Sequence, residues 1–184
     1  MERDVIDVRE GRRVFGRDAA GYDRARPGHT DRVYEILRER CGLGPETRVL
    51  EIGPGTGQVT RRLLELGARR LVAVEPDAEL ATYLAAATGG APEILETPLE
   101  EAELPRDAFD LAVAASSFHW IEAERGLAAV MTALRPGGWW TMWWTHTSGT
   151  TTVPTRSVTP STRFSTTSPR VQAHGGSPGI RTPH

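Results

Sequence analysis

Apolar residues along the first 144 positions fall into short runs, separated by segments whose apolar side chains stand three and four residues apart. The short runs are typical of buried strands, the spaced segments are typical of amphipathic helices, and the two kinds alternate. Such alternation predicts an α/β fold with parallel pairing and right-handed crossovers, which we interpret as five strands in the order 3-2-1-4-5. The predicted strands are 48–52, 71–74, 93–95, 109–115 and 139–144, and the main predicted helices are 30–40, 59–66, 78–87 and 122–134.

The first predicted strand runs directly into a glycine-rich turn, and a helical pattern begins after it. Glu51 is followed by glycines at every second position, namely Gly53, Gly55 and Gly57. Glycine accepts positive φ and lets a ligand approach the backbone, while the free N–H groups of the helix start point back toward that ligand. A dinucleotide fingerprint requires its third glycine at Gln58, and a phosphate-binding loop requires a lysine, which this chain lacks. The turn therefore predicts a nucleotide-type ligand of another kind.

The second predicted strand ends in an acidic residue. Glu75 follows the apolar run and is itself followed by Pro76 and Asp77. A carboxylate in this position suits a ribose, because it accepts hydrogen bonds from both vicinal hydroxyls. The alternative is a helix-capping acid, a role that Asp77 can fill while Glu75 stays available to a ligand.

The fourth predicted strand ends in the segment that carries candidate catalytic chemistry. Ligands of open parallel sheets bind at the carboxyl ends of strands, so we expect residues 116–121 to face the reacting groups. His119 is the candidate general base, because imidazole titrates near neutral pH, and the alternative is a hydrogen-bonded scaffold histidine. With no second histidine, cysteine or acid at ligand spacing, His119 does not predict a metal site.

Composition and charge bound the class of protein. The 184 residues suffice for one domain of ordinary size, and a net charge of −2 gives no basic footprint for nucleic acid. Cys41 is the single cysteine, which excludes an internal disulfide and a cysteine-rich zinc site, and its place on an apolar helix face predicts a buried residue. No signal peptide or membrane span is visible, so we expect a cytoplasmic protein without a membrane partner.

The composition changes abruptly after Trp144. All 24 acidic residues lie at or before Glu124, whereas residues 145–184 carry four arginines, eleven threonines and no apolar period. Such a segment cannot bury enough apolar surface to offset its ordering entropy, so we expect a disordered tail. No strand candidate follows 139–144, and that aromatic strand would then lie at an open sheet edge, which favours aggregation.

The glycine motif resembles the first motif of the class I S-adenosylmethionine-dependent methyltransferases. F-D-L at 109–111, S-F-H-W at 117–120 and L-R-P-G-G at 134–138 resemble later motifs of the small-molecule, type 11-like branch, and the resemblance covers roughly residues 12–144. It implies a Rossmann-like open parallel sheet with helices on both faces, lacking the last two strands of the family. It also implies that S-adenosyl-L-methionine is the cofactor, with contacts from Glu51, Gly53, Gly55, Gly57, Glu75, Pro76, Leu99, Glu100 and Ser116.

The same resemblance divides the chain into an N-terminal cap at 1–28, a cofactor-binding core at 29–144 and the tail. In the family this cap lies over the cofactor and helps to shape the substrate pocket. The implied pocket residues are Phe15, Tyr22, Arg26 and, after the fourth strand, Trp120. The alternative for the cap is a solvated leader with a few anchoring aromatic residues.

The implied activity is transfer of a methyl group from S-adenosylmethionine to a small-molecule acceptor, with neither nucleic acid nor metal as a partner. One alternative is a non-catalytic remnant that binds the cofactor without turnover. The other is an NAD-dependent oxidoreductase, against which Gln58 argues.

The resemblance stops inside the fifth strand, where the acidic residues also end. The chain uses arginine throughout and contains no lysine, as a GC-rich gene would encode. We therefore interpret the chain as C-terminally truncated or frameshifted, with the residues after about Trp144 read out of frame. A genuine disordered tail rich in threonine, serine and proline is the alternative.

Overall fold

The computed structural model describes residues 19–25, 28–68, 70–145, 151–152 and 155–157. Its parallel strands pair in the order β3-β2-β1-β4-β5, which confirms the predicted fold class. These strands are β1 (Arg48–Ile52), β2 (Arg70–Val74), β3 (Glu93–Leu95), β4 (Phe109–Ala115) and β5 (Leu134–Thr145).

The helices of the described residues connect these strands and precede the first one. They are α1 (Ala19–Ala25), α2 (Asp31–Cys41), α3 (Gln58–Glu65), α4 (Ala78–Ala87) and α5 (Ala123–Ala133), with short 3₁₀ turns at Leu99–Glu101 and Phe118–Trp120. The four predicted helices are confirmed, each to within one residue at either end. Asp77 caps α4, because its side chain accepts hydrogen bonds from the backbone N–H groups of Glu79 and Leu80, both at 3.0 Å.

Alternate side chains of the strands face opposite sides of the sheet, and helices cover both sides. Val49 and Leu111 pack with the buried side chains of α2 and α3 on one side, and Leu50 and Val72 pack with those of α5 on the other. The strands therefore have continuous apolar sequences, as buried parallel strands do. Cys41 is buried as predicted, and burial raises the pKa of its thiol to about 11.

The fifth strand begins earlier than predicted. β5 starts at Leu134, where the sequence predicted the last helical residue, and it includes the Pro-Gly-Gly segment expected to form a turn. Leu134 pairs with Phe109, and the register shifts before Leu111 pairs with Trp139. Gly137, with a φ of +78°, lies in this irregular part. Proline and glycine thus produce a break in strand register here instead of a loop.

Two short strands after β5 contradict the expectation that no strand follows it. β6 (Thr151–Thr152) and β7 (Thr155–Ser157) both pair antiparallel with β5. The expected open edge is therefore wrong for residues 139–141 and 144–145, which these strands cover. Edge pairing uses only backbone N–H and C=O groups, so it needs no apolar period that sequence analysis could detect.

Other parts of the predicted cap and tail, including Phe15 and Arg26, lie outside the described residues. The division into cap, core and tail and the out-of-frame interpretation therefore stay predictions. Among the described helices, none combines the length and the apolar character needed to cross a bilayer.

Candidate functional site

A cavity of about 420 Å³ opens at the carboxyl ends of the strands. It lies where ligands of open α/β sheets bind, beside the point between β1 and β4 at which the strand order reverses. The structure brings most of the predicted site residues together in its wall: Gly53, Gly55, Glu75, Pro76, Leu99, Ser116, His119 and Trp120.

Three other predicted site residues are described but do not line this cavity. Glu51 is buried in β1, and Gly57 is the N-cap residue of α3. Glu100 accepts a hydrogen bond from the backbone N–H of Glu122 at 2.8 Å. The side chain of Tyr22 lies outside the described residues. Direct contacts of these residues with a ligand stay predictions.

Backbone conformation explains the glycines of the loop between β1 and α3. Gly53, Gly55 and Gly57 have φ values of +62°, +58° and +82°, a region that side chains rarely tolerate. A Cβ on Gly53 would also lie 2.5 Å from the Cβ of Ser117, whose hydroxyl donates to the Ile52 carbonyl. Nothing lies within 4 Å of a Cβ built on Gly55, so a ligand can approach the backbone there.

Glu75 connects the end of β2 to this loop. It is 4% exposed, and its carboxylate accepts hydrogen bonds from the backbone N–H of Gly55 at 3.0 Å and from that of Asp77 at 3.1 Å. A buried carboxylate costs free energy unless it is hydrogen-bonded, so these donors hold it at the cavity wall. Because Asp77 already caps α4, the helix does not require Glu75 for that role.

Glu51 is a second buried acid near the loop. It is 2% exposed, and its Oε2 has no hydrogen-bond partner among the described residues. Burial raises the pKa of Glu51 to about 8, the negative charge of Glu75 acts in the same direction, and the hydroxyl of Thr60 acts against both. This environment favours the protonated carboxyl at neutral pH.

A residue with unusual backbone conformation follows β4 at the cavity wall. Ser116 has a φ of +58°, which is uncommon for a residue other than glycine. Its backbone N–H donates to the Trp143 carbonyl at 2.8 Å, and its hydroxyl oxygen is buried with no hydrogen-bond partner in the described part of the chain. A ligand that offers a polar group to this hydroxyl would satisfy it.

The β4–β5 side of the cavity contains imidazole and indole rings, of which sequence analysis missed His29 and Trp144. The indole N–H of Trp143, which is 0% exposed, donates to Nδ1 of His29 at 3.1 Å. The indole N–H of Trp144 donates to Nδ1 of His119 at 3.5 Å. A neutral imidazole that accepts at Nδ1 carries its proton on Nε2. Across the described ranges, no three His, Cys, Asp or Glu residues form a group suited to a metal ion.

Known proteins resemble this chain over most of the sheet. A family model described as a methyltransferase domain matches residues 50–142. An uncharacterized methyltransferase of Mycobacterium bovis is 35% identical over 124 residues, which are 67% of this chain and 49% of that protein. A ribosomal RNA small subunit methyltransferase of Arabidopsis thaliana is 36% identical over 87 residues, or 45% of this chain and 24% of that protein.

One solved structure extends this comparison to three dimensions. The crystal structure of an S-adenosylmethionine dependent methyltransferase from Mesorhizobium loti matches with a TM-score of 0.56 and 25% identity, over 63% of this chain and 53% of that one. The chain thus spans about half the length of its Mycobacterium and Mesorhizobium relatives.

Proposed function

Since the chain belongs to the methyltransferase domain family, we propose that it transfers a methyl group from S-adenosylmethionine to a small-molecule acceptor. The observation that carries this proposal is the buried carboxylate of Glu75, which lies beside the glycine loop in the wall of one cavity. A carboxylate in that place suits the two ribose hydroxyls of a nucleoside.

The cavity residues fit the parts of the proposed cofactor. Glu75 would hold the ribose, the loop backbone at Gly55 would approach the methionine part, and Leu99 would pack against the adenine. The buried hydroxyl of Ser116 is a polar group that such a ligand would satisfy. When bound, the cofactor supplies a methyl group that its sulfonium already makes electrophilic.

The β4–β5 side of the cavity is the proposed acceptor site. Trp120 and Trp144 provide aromatic surface against which a small organic molecule packs, and His119 lies beside them. Holding the acceptor in line with the methyl group is the main contribution that the protein makes to such a reaction. A small molecule is favoured over nucleic acid because residues 1–144 carry 24 acidic residues against 18 arginines.

The contact between His119 and Trp144 supports the scaffold role of this histidine over the base role. Because Nδ1 accepts from the indole, the neutral ring carries its proton on Nε2, and that nitrogen does not abstract a proton. A base role at Nδ1 would require the indole contact to break. We therefore propose that His119 orients the acceptor.

Calorimetric titration with S-adenosylhomocysteine tests the cofactor site. Glu75→Ala removes charge-assisted hydrogen bonds worth about 1.5–3 kcal/mol, so we expect the dissociation constant to rise roughly 10- to 100-fold. Glu79→Ala is the matched control, because Glu79 is an exposed acid in the first turn of α4 and lies outside the cavity wall. NAD, titrated in parallel, should not bind.

Unchanged affinity in a folded Glu75→Ala protein would overturn the ribose assignment, and binding of NAD instead of S-adenosylhomocysteine would overturn the proposed reaction. The acceptor class is tested with S-adenosylmethionine labelled in its methyl group. We expect label in members of a panel of small organic acceptors, and transfer to ribosomal RNA alone would contradict the small-molecule proposal.

A further inference from the structure

Asp23 connects helix α1 to three other parts of the cofactor site. Its carboxylate accepts a hydrogen bond from the hydroxyl of Thr56, in the glycine loop, at 2.8 Å. Each carboxylate oxygen also lies 3.1 Å from the guanidinium of Arg61 in α3, and the hydroxyl of Tyr83 in α4 donates at 3.3 Å. The backbone carbonyl of Asp23 accepts from the side-chain amide of Gln58 at 3.1 Å.

Charge and burial make this a defined contact and not a loose surface ion pair. The side chain of Asp23 is 18% exposed and that of Arg61 is 34% exposed. Burial acts to raise the pKa of Asp23, but the hydrogen bonds from Thr56 and Arg61 outweigh it and hold the pKa below its usual value. The carboxylate is therefore ionised at neutral pH, and both of its oxygens accept hydrogen bonds from the same guanidinium nitrogen, Nη2 of Arg61.

The glycine loop depends on support of this kind. Three glycines with positive φ leave the unsupported backbone many alternative conformations, so contacts from outside the loop must hold the one that binds a ligand. Glu75 supplies such a contact through the N–H of Gly55. Arg61 and Asp23 hold Thr56, which is 3% exposed: Arg61 donates to its carbonyl at 3.0 Å, and Asp23 accepts from its hydroxyl.

We propose that Asp23 is a positioning residue for the cofactor: through Thr56 and Arg61 it holds the glycine loop in the geometry that binds S-adenosylmethionine. This inference rests on the proposed function, because it concerns the same site. Asp23 is not part of the cavity wall and acts through the loop. Loss of its contacts lowers the fraction of molecules whose loop is competent to bind, and the apparent affinity falls by that fraction.

Asp23→Asn keeps the size of the side chain and removes its charge. The matched control is Asp31→Asn, because Asp31 is an exposed acid that pairs with Arg62 of α3 at 3.4 Å. We expect Asp23→Asn to raise the dissociation constant of S-adenosylhomocysteine about tenfold, with slower association and unchanged dissociation. Asp31→Asn should leave both rates unchanged.

Hydrogen exchange in the ligand-free protein provides a readout that does not depend on binding. The N–H of Gly57 donates to the Pro54 carbonyl at 3.0 Å inside the loop, and we expect it to exchange about tenfold faster in Asp23→Asn than in Asp31→Asn. Thr56→Val should reproduce both effects, and Thr56→Ser, which keeps the hydroxyl, should behave as wild type. Because the two residues share one contact, their effects should not be independent. The dissociation constant of the double variant Asp23→Asn/Thr56→Val should rise by less than the two single-variant fold-changes multiplied together.

Wild-type affinity together with wild-type exchange in a folded Asp23→Asn protein would overturn the positioning role and leave the proposed function intact. A lower thermal midpoint with unchanged affinity would also overturn it, since Asp23 would then only stabilise the fold. If the wild-type protein does not bind S-adenosylhomocysteine, the proposed function fails, and the assignment of Asp23 to a cofactor site fails with it.

Discussion

The two ends of the sheet surround their acidic residues in different ways. At the amino ends, Asp110 in β4 accepts hydrogen bonds from the backbone N–H of Arg48 at 2.8 Å, from its guanidinium at 2.9 Å, and from the guanidinium of Arg135. At the carboxyl ends, Glu51 and Glu75 are buried, and backbone N–H groups next to the cavity donate to Glu75. Arginines therefore match the charge at one end, and at the other end two carboxyl groups are desolvated, of which Glu75 lines the cavity.

This difference separates chemistry that stabilises the fold from chemistry that suits a ligand. A carboxylate held by two guanidinium groups has its charge satisfied within the protein. A buried acid with an unpartnered oxygen, as in Glu51, costs stability, and so does the positive φ of Ser116. Such costs concentrate at functional sites, where the surrounding structure compensates for them.

The largest change is expected from Gly53→Ala at the carboxyl end. The φ of this residue is +62°, and the added Cβ would lie 2.5 Å from that of Ser117, so we expect the dissociation constant of S-adenosylhomocysteine to rise at least about 100-fold. Gly42→Ala is the matched control before β1, with a φ of +69° and nothing within 4 Å of its Cβ. It should lower the free energy of unfolding by about 1–2 kcal/mol and leave binding unchanged. Equal losses of affinity in the Gly53→Ala and Gly42→Ala variants would contradict the distinction between the carboxyl and amino ends of the sheet.

A smaller effect, on stability, should follow from Glu51→Gln. The pKa of Glu51 is raised to about 8 in the folded protein, so the folded state binds more protons than the unfolded state and the wild type loses stability as pH rises from about 5 to 8. Glutamine does not titrate, so the variant lacks this pH-dependent loss of stability. The variant should gain on the wild type by about 2 kcal/mol or more at pH 9, and the gain should shrink toward pH 5. Urea unfolding between pH 5 and pH 9 measures the difference in free energy of unfolding between the variant and the wild type. A difference that does not change with pH would show that Glu51 does not titrate in this way.

Asp110→Asn should have the smallest effect on stability. The wild-type Asp110 stabilises the fold at neutral pH, whereas the wild-type Glu51 destabilises it there. The hydrogen bonds from Arg48 and Arg135 hold the pKa of Asp110 well below its usual range, so its stabilisation is present above about pH 4 and is lost as pH falls through the folded-state pKa. We expect the variant to lose about 1–2 kcal/mol at pH 7, less in acid, and to bind S-adenosylhomocysteine with wild-type affinity. Altered affinity would mean that the amino end of the sheet also shapes the cavity.

Sequence patterns predict those parts of the molecule that depend on local sequence. The apolar runs at 93–95 and 109–115 stand between polar turns, and the observed strands have the same bounds. The spacing of the loop glycines and the place of Glu75 directly after β2 likewise identified residues that the cavity brings together. Local apolar pattern and glycine spacing act over a few residues, so they are readable without a structure.

Contacts between distant residues are not readable in this way. Trp143 and His29 lie 114 positions apart, and Thr56 and Asp23 lie 33 apart, so no local pattern pairs them. β6 and β7 escaped prediction for a related reason, because their partners are backbone groups of β5.

A crystal structure of the chain with S-adenosylhomocysteine tests the central claim most directly. The account predicts ribose hydroxyls at hydrogen-bond distance, about 2.7 Å, from the Glu75 carboxylate, with the homocysteine part along the loop at Gly55 and the adenine against Leu99. A ligand bound outside this cavity, or one whose ribose lies on the β4–β5 side beside His29 and His119, would contradict it.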